Sequence, residues 1–157
     1  MQIRAATPAD VPAMVALSDA KRTEYATYSP VFWRKAKDGA EAQARFFTDR
    51  QLPNEKIITL VAERDGAIEG FIMATVQEAP PVYDPGGPVC TIDDFTVATP
   101  DLWATTGLAL LEAATAQARE RGAILMITIC GHLDMPKRTM LLEHGATIAA
   151  ETFVQQV

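Results

Sequence analysis

The stretch from Val89 to Ala114, VCTIDDFTVATPDLWATTGLALLEAA, decides the fold. It begins as an apolar strand, passes through a turn that contains Pro100, and continues from Thr105 or Thr106 as a helix that Gly122 ends. A fully apolar run, ILMITIC, follows at once, as expected for a strand buried on both faces. A strand, a helix and a strand in this order predict two parallel strands joined by a right-handed crossover.

The residues before this unit predict strands and helices that surround it. Thr7, Pro8 and Asp10 together form a helix start, because a threonine cap, a proline in the first turn and an acidic third residue all suit it. Asp65-Gly66 predicts a two-residue hairpin turn. The predicted elements are strands over Gln2–Ala5, Ile57–Arg64 and Ala67–Gln77 and a second helix from about Val31 to Arg50, with a weak point at Asp38-Gly39.

The residues after the unit complete one domain. Pro136 begins a short helix that ends at Gly145, and the segment from Ala146 to Val154 predicts a last strand. Only 12 residues follow Gly145, which leaves room for one strand. We therefore expect residues 1–157 to form a single α/β domain with a mixed sheet flanked by about four helices.

Composition and charge argue against several classes of protein. The net charge of −6 and the lack of any Lys/Arg run disfavour a nucleic-acid partner, which would need cations to displace phosphate counterions. His132 and His144 have no ligand-spaced neighbours, so we expect no metal. No apolar run approaches the roughly 20 residues that span a bilayer, and no secretory signal is visible. We expect no membrane association and a cytoplasmic location, with Cys90 and Cys130 as small buried hydrophobes.

Three motifs in consistent register resemble the GNAT superfamily of acyl-CoA-dependent N-acetyltransferases, and somewhat its diamine acetyltransferase branch. Ile92–Val97, IDDFTV, is similar to the family's Ile-Glu-Asp-Leu-x-Val. Gly107–Ala114, GLALLEAA, follows Val97 by ten positions, as the family's helix opening does. Asp134–Ala146 matches Asn-x-x-Ala-x-x-x-Tyr-x-x-x-Gly-Phe in spacing. The resemblance implies the GNAT fold, with a central sheet of six to seven strands.

The resemblance also implies an acetyl-CoA site at the turn between the strand and the helix. There the free amides and the positive helix end would hold the diphosphate. Leu102 replaces the family's Arg/Gln and Thr105 replaces its first Gly, so a left-handed Thr105 would be strained. The cofactor-binding residues implied are Phe95, Thr96, Val97, Leu102, Trp103, Ala104, Thr105, Thr106, Gly107, Leu108 and Asp134.

The resemblance further implies an acetyl transfer to a primary amine by direct attack. Asp93 stands where relatives place a Glu base, and Asp94 is the second candidate; alternation along a strand puts the two on opposite faces. A backbone N–H near Thr96 or Val97 would hold the oxyanion. Leu141 occupies the position of the Tyr that protonates the leaving thiolate, so water or another side chain would have to serve.

The aromatic residues Tyr25, Tyr28, Phe32 and Trp33 fall where the family builds one wall of the acceptor pocket. They suit a small-molecule amine, through cation–π contact, or simply the packing of two helices. The open sheet edge after Gly145 favours a homodimer. The altered positions Leu102, Thr105, Asp134 and Leu141 keep an alternative open, namely a catalytically silent domain of this fold that binds a ligand or partner.

Overall fold

A computed structural model describes the whole chain, Met1–Val157, and its centre is a five-stranded mixed sheet. The strands lie in sequence order: β1 (Gln2–Ala5), β2 (Ile57–Arg64), β3 (Ala67–Gln77), β4 (Val89–Val97) and β5 (Leu125–Thr128). β1 to β4 are antiparallel, and β5 runs parallel to β4. The predicted crossover is confirmed, because α3 (Thr106–Glu120) connects the parallel pair.

The turns that connect these elements follow the local sequence signals. Asp65 and Gly66 both have positive φ, 51° and 80°, which is the backbone of a tight hairpin turn between β2 and β3. Gly122 has a φ of 85° after α3 and ends it as predicted. At the start of the first helical segment, the Asp10 carboxylate accepts hydrogen bonds from the backbone N–H and the hydroxyl of Thr7 at 2.8 and 2.9 Å.

Helices cover both faces of the sheet and enclose two apolar cores. On one face lie α1 (Val11–Tyr28), after a short 3-10 turn over Pro8–Asp10, and α2 (Gly39–Phe46), which continues as a π-helical turn over Phe47–Gln51. Their core contains Val11, Met14, Val15, Phe47, Val61, Phe71 and Met73. On the other face lie α3 and α4 (Met135–Glu143), over the larger core that includes Ile72, Ile92, Phe95, Trp103, Leu110 and Met140.

Three predicted elements differ from the structure. The run Ile124–Cys130, predicted as a strand buried on both faces, forms only the short edge strand β5, in which Leu125 and Ile127 are exposed. The helix predicted from Val31 begins only at Gly39, because turns at 30–33 and 37–38 come first and the weak point predicted at Asp38-Gly39 is where the helix starts. The predicted last strand from Ala146 to Val154 is not a strand, and all its residues are exposed. The alanines of this segment offer little apolar area to bury, so packing on the sheet does not by itself hold the segment there as a strand. The sheet therefore has five strands instead of six to seven, with β5 at its edge.

No helix of this fold combines the length and the hydropathy needed to cross a membrane.

Candidate active site

A β-bulge in β4 sets the geometry of the acidic pair. Met73 of β3 pairs with Asp94 while the next residue, Ala74, pairs with Ile92, so Asp93 is the extra residue of the bulge. The Asp93 carboxylate accepts from the Thr75 hydroxyl at 2.8 Å, and Thr75 shares the sheet face of Met73. Both carboxylates therefore lie on the α1–α2 face, and the prediction that they lie on opposite faces is wrong because the bulge interrupts the alternation.

The two carboxylates have different surroundings. Asp93 is exposed, contrary to the burial expected for a cleft base. Asp94 lies beneath α1 and α2, where its two oxygens accept from Ser18 Oγ at 3.4 Å and from Gln43 Nε2 at 3.2 Å. Burial raises the pKa of Asp94, and the positive charge of Arg22 opposes that shift only in part. Burial thus makes Asp94 a stronger proton acceptor than an ordinary aspartate.

β4 and β5 part just beyond the bulge. Their pairing runs from Val89↔Leu125 to Ile92↔Thr128 and ends there, so the second half of β4 has a partner only in β3. The Phe95 carbonyl faces the opening, where it accepts from Lys137 Nζ at 3.1 Å. Because the N–H and C=O of one strand residue point the same way and alternate along the strand, the N–H groups of Phe95 and Val97 face the opening. The Thr96 N–H faces β3 instead.

The turn between β4 and α3 is filled by Trp103. A 3-10 turn over Pro100–Ala104 brings Trp103 under α3, where it is 1% exposed. A Cβ on Gly107 would lie 2.6 Å from Trp103 Cε3, so Gly107 admits the close approach of this indole. The buried indole N–H has no hydrogen-bond partner. Thr105 has φ −123°, so the strain considered for a left-handed Thr105 does not arise.

Asp134 fastens α4 to α1 across the opening. Its side chain is buried at the start of α4 and accepts hydrogen bonds from the Tyr25 hydroxyl at 2.8 Å and from Lys21 Nζ at 3.2 Å. The Tyr25 hydroxyl in turn accepts from the Gly131 N–H at 3.1 Å. Burial, with the Asp134 charge, raises the pKa of Tyr25 far above its ordinary value, so Tyr25 stays a neutral donor.

The four predicted aromatic residues do come together at the C-terminal end of α1. The ring of Tyr25 lies 5.2 Å from those of Tyr28 and Trp33, and Phe32 packs edge-on against Trp33 at 4.7 Å. His132 adds its ring 6.0 Å from Tyr28. Phe32 is exposed, and the cluster forms an apolar surface beside the Asp134 network.

Sequence reasoning missed the two lysines near this site. Lys21 and Lys137 place their ammonium groups 5.6 and 5.3 Å from the centre of the Trp103 ring. Lys137 stands at the Ala position of the third motif, four residues before Leu141 and therefore on the same helix face. That spacing is the sequence signal that could have placed Lys137 near the site. His144 bonds the Met140 carbonyl from an exposed position at the helix end. The turn between β4 and the start of α3 also contains Leu102, Ala104, Thr106 and Leu108. There the Thr106 hydroxyl donates a hydrogen bond to Glu69 Oε2 at 3.2 Å.

Neither a family model nor a curated protein matches the sequence. Solved structures do match along the whole chain. A single-site mutant of the BH1408 protein from Bacillus halodurans superposes with TM-score 0.82 at 14% identity over 100% of this chain and 99% of that one. A predicted acetyltransferase from Clostridium acetobutylicum, crystallised with acetyl-CoA, has TM-score 0.75 at 16% identity over 99% and 95% of the chains. The aminoglycoside 6'-N-acetyltransferase AAC(6')-Ig from Acinetobacter haemolyticus has TM-score 0.72 at 13% identity over 100% and 99%. These likenesses confirm the predicted GNAT fold.

Proposed function

We propose that this protein transfers an acyl group, acetyl in the first instance, from acyl-CoA to a primary amine of a small molecule by direct attack. The observation that carries the proposal is the opening between β4 and β5, which begins at the bulge and lies beside the start of α3. Unpaired strand backbone and the first turn of a helix offer amide donors to one elongated ligand. The acetyltransferases with the same fold support the same reaction class.

The backbone groups at the opening suit the acyl end of acyl-CoA. The Phe95 and Val97 N–H groups face the opening and are suited to hold an oxyanion. Thr96 lies between these two residues in β4. When bound, acyl-CoA supplies an activated acyl group and a thiol leaving group. Asp134 holds the start of α4 against α1 and so shapes the far wall of the opening.

The diphosphate end would depend on backbone donors. No lysine or arginine lies between Val97 and Arg119, so the turn has no cation of its own. The amides of Thr106, Gly107 and Leu108 begin α3, where the helix dipole favours an anion. The indole N–H of Trp103 is buried and has no hydrogen-bond partner, so it becomes a further donor to the diphosphate only if the turn opens on binding.

Asp94 is the base in this proposal, with Asp93 as the rival. A base must accept a proton from the substrate ammonium near neutral pH, and burial brings the pKa of Asp94 toward that range. Asp93 is exposed and has its own partner in Thr75.

The acceptor would bind at the aromatic cluster of Tyr25, Tyr28, Phe32 and Trp33. A ring face attracts an ammonium group, and the exposed Phe32 leaves the cluster accessible.

Two free cysteines and the use of acyl-CoA fit a protein of the cytoplasm.

Acetyl-CoA should stabilise the protein and be consumed only when an amine is present. At 100 times the dissociation constant, binding adds about 2.7 kcal/mol to the free energy of unfolding. Thermal unfolding with acetyl-CoA measures the binding, and release of free thiol across a panel of primary amines measures the turnover. Desulfo-CoA and a tertiary amine are the matched controls. Stabilisation without thiol release would favour the silent domain, and no stabilisation at millimolar acetyl-CoA would contradict the proposed transferase.

We also propose a homodimer in which the segment 146–154 of each copy pairs with the free edge of β5 in the other. Leu125, Ile127 and Ile129 are exposed apolar residues at that edge. Ile148 and Phe153, 54% and 88% exposed, are apolar residues of the segment and, five positions apart on a strand, would cover opposite faces of the extended sheet. Pairing would satisfy the backbone groups of both.

Light scattering after size exclusion should therefore give about twice the chain mass of 17.0 kDa. The Ile148→Glu/Phe153→Glu double variant should shift the protein toward the monomer, because strand pairing would bury both charges. An Ile148→Val/Phe153→Tyr variant keeps the β-propensity and is the control. A wild-type mass of 17.0 kDa at micromolar concentration would contradict the dimer.

A further inference from the structure

Lys137 is a fully enclosed lysine at the point where β4 and β5 part. Its side chain is 4% exposed, although lysines are almost never buried unless paired. Its Nζ donates to the carbonyl oxygens of Phe95 in β4 at 3.1 Å and of Ile129, just past β5, at 3.2 Å. No carboxylate pairs with it within ion-pair distance. The ammonium group thus lies between the two strands whose separation defines the candidate site.

An ammonium group has three N–H donors, and two of them are used by these carbonyls. The third remains for a group in the opening. Lys137 and Leu141 are four positions apart on α4, so they share one helix face. Leu141 occupies the position where the resemblance implied a tyrosine acid, and it cannot donate a proton. Lys137 brings a proton to the same face one turn earlier.

We propose that Lys137 Nζ is the general acid that protonates the departing thiolate, a role that rests on the proposed acyl transfer. The base takes one proton from the substrate ammonium, and the neutral amine nitrogen then bonds to the acyl carbon while the carbonyl electron pair moves to oxygen. That oxyanion collapses, the carbon–sulfur bond breaks with its electron pair going to sulfur, and Lys137 Nζ gives one proton to the sulfur. The nitrogen loses its second proton to solvent, and Lys137 and the base return to their starting forms by proton exchange with solvent once the thiol has left.

The surroundings of Lys137 match this role. Burial lowers its pKa to about 8, close to the pKa of a thiol, so the proton transfer is nearly balanced. The titratable groups that face it are Cys130 and Asp134 from the loop before α4, Asp94 from β4, and Lys21 from α1. The rings of Phe95 and Trp103, 5.1 and 5.3 Å from Nζ, favour the charged form without taking its protons.

The test compares Lys137→Met, which removes the proton, with Lys137→Arg, which keeps a charge that cannot be released. We expect both variants to bind acetyl-CoA in calorimetry and to lose about 10²-fold or more in kcat. The wild-type rate should fall as the pH rises through about 8, where the folded protein loses this proton, and both variants should lack that basic limb. Retention of the limb by either variant would overturn the proposal.

A second measurement uses the unmodified, ligand-free protein. The NMR titration of the Lys137 side chain should show a midpoint near 8 instead of the ordinary 10.5, and a midpoint at the ordinary value would overturn the proposal even if the variants fail to fold. An acyl amide on Lys137 in the intact mass would also overturn it, because the lysine would then be a nucleophile. Cys130→Ser should retain the basic limb, since Cys130 lies nearby but is not the assigned donor. Failure of wild-type protein to bind acetyl-CoA would instead overturn the proposed function itself.

Discussion

Replacing Asp94 by asparagine is expected to lower kcat by about 10²- to 10⁴-fold, the usual contribution of a general base. Asparagine keeps the size of the side chain and, through its one carbonyl oxygen, can accept one of the two hydrogen bonds that Ser18 and Gln43 donate, but it cannot accept a proton. Steady-state thiol release with a primary amine measures the loss. Asp93→Asn, on the neighbouring exposed residue, is the matched comparison and should cost far less. The reverse order of the two variants would return the role of base to Asp93.

The pH dependence separates catalysis from folding for the same variant. The folded pKa of Asp94 is raised, so the folded protein holds this proton to higher pH than the unfolded chain does. Stability therefore falls as the pH rises from the unfolded to the folded pKa, and the cost of the buried charge persists above both. Asp94→Asn removes that cost and should melt no lower than wild type at neutral pH. A large drop in melting temperature would mean that the lost activity reflects unfolding.

The sequence predicted the order of most elements because their signals are local. The Asp65-Gly66 turn, the start at Thr7 and the end at Gly122 each depend on a few neighbouring residues. The bulge at Asp93 has no such signal, since IDDFTV contains neither glycine nor proline. The regular alternation of a strand without a bulge therefore predicted that the two carboxylates lie on opposite faces.

The remaining differences arise from tertiary contacts. A lysine is ordinarily expected at the surface, so residue type alone does not predict the burial of Lys137. The burial is explained by its hydrogen bonds to the carbonyls of Phe95 in β4 and Ile129 just past β5. The segment from Ala146 to Val154 is exposed and not a strand, because strand formation depends on pairing with a distant neighbour that the local pattern does not specify. Trp103 was assigned to the cofactor turn for its amide, whereas its indole packs in the core.

Trp103→Ala is expected to lower the free energy of unfolding by about 3–5 kcal/mol, as the removal of a large buried aromatic ring usually does. That is a large part of the roughly 5–15 kcal/mol that stabilises a typical domain. The indole contacts Phe95 edge-on at 4.8 Å and fills the space above Gly107, so its loss leaves a cavity between β4 and α3. Urea unfolding followed by far-UV circular dichroism measures the loss, because tryptophan fluorescence changes with the substitution itself.

Trp103→Phe distinguishes the ring from its N–H. Phenylalanine keeps most of the packing and removes a buried donor that has no partner, so its cost should be only about 1 kcal/mol. Equal losses for the two variants would show that the indole does not pack as described. If the N–H serves a bound diphosphate, Trp103→Phe should weaken acetyl-CoA binding by about 0.5–1.5 kcal/mol, the net contribution of one hydrogen bond. Unchanged affinity would leave the turn with backbone donors alone, because it has no basic side chain to replace that bond.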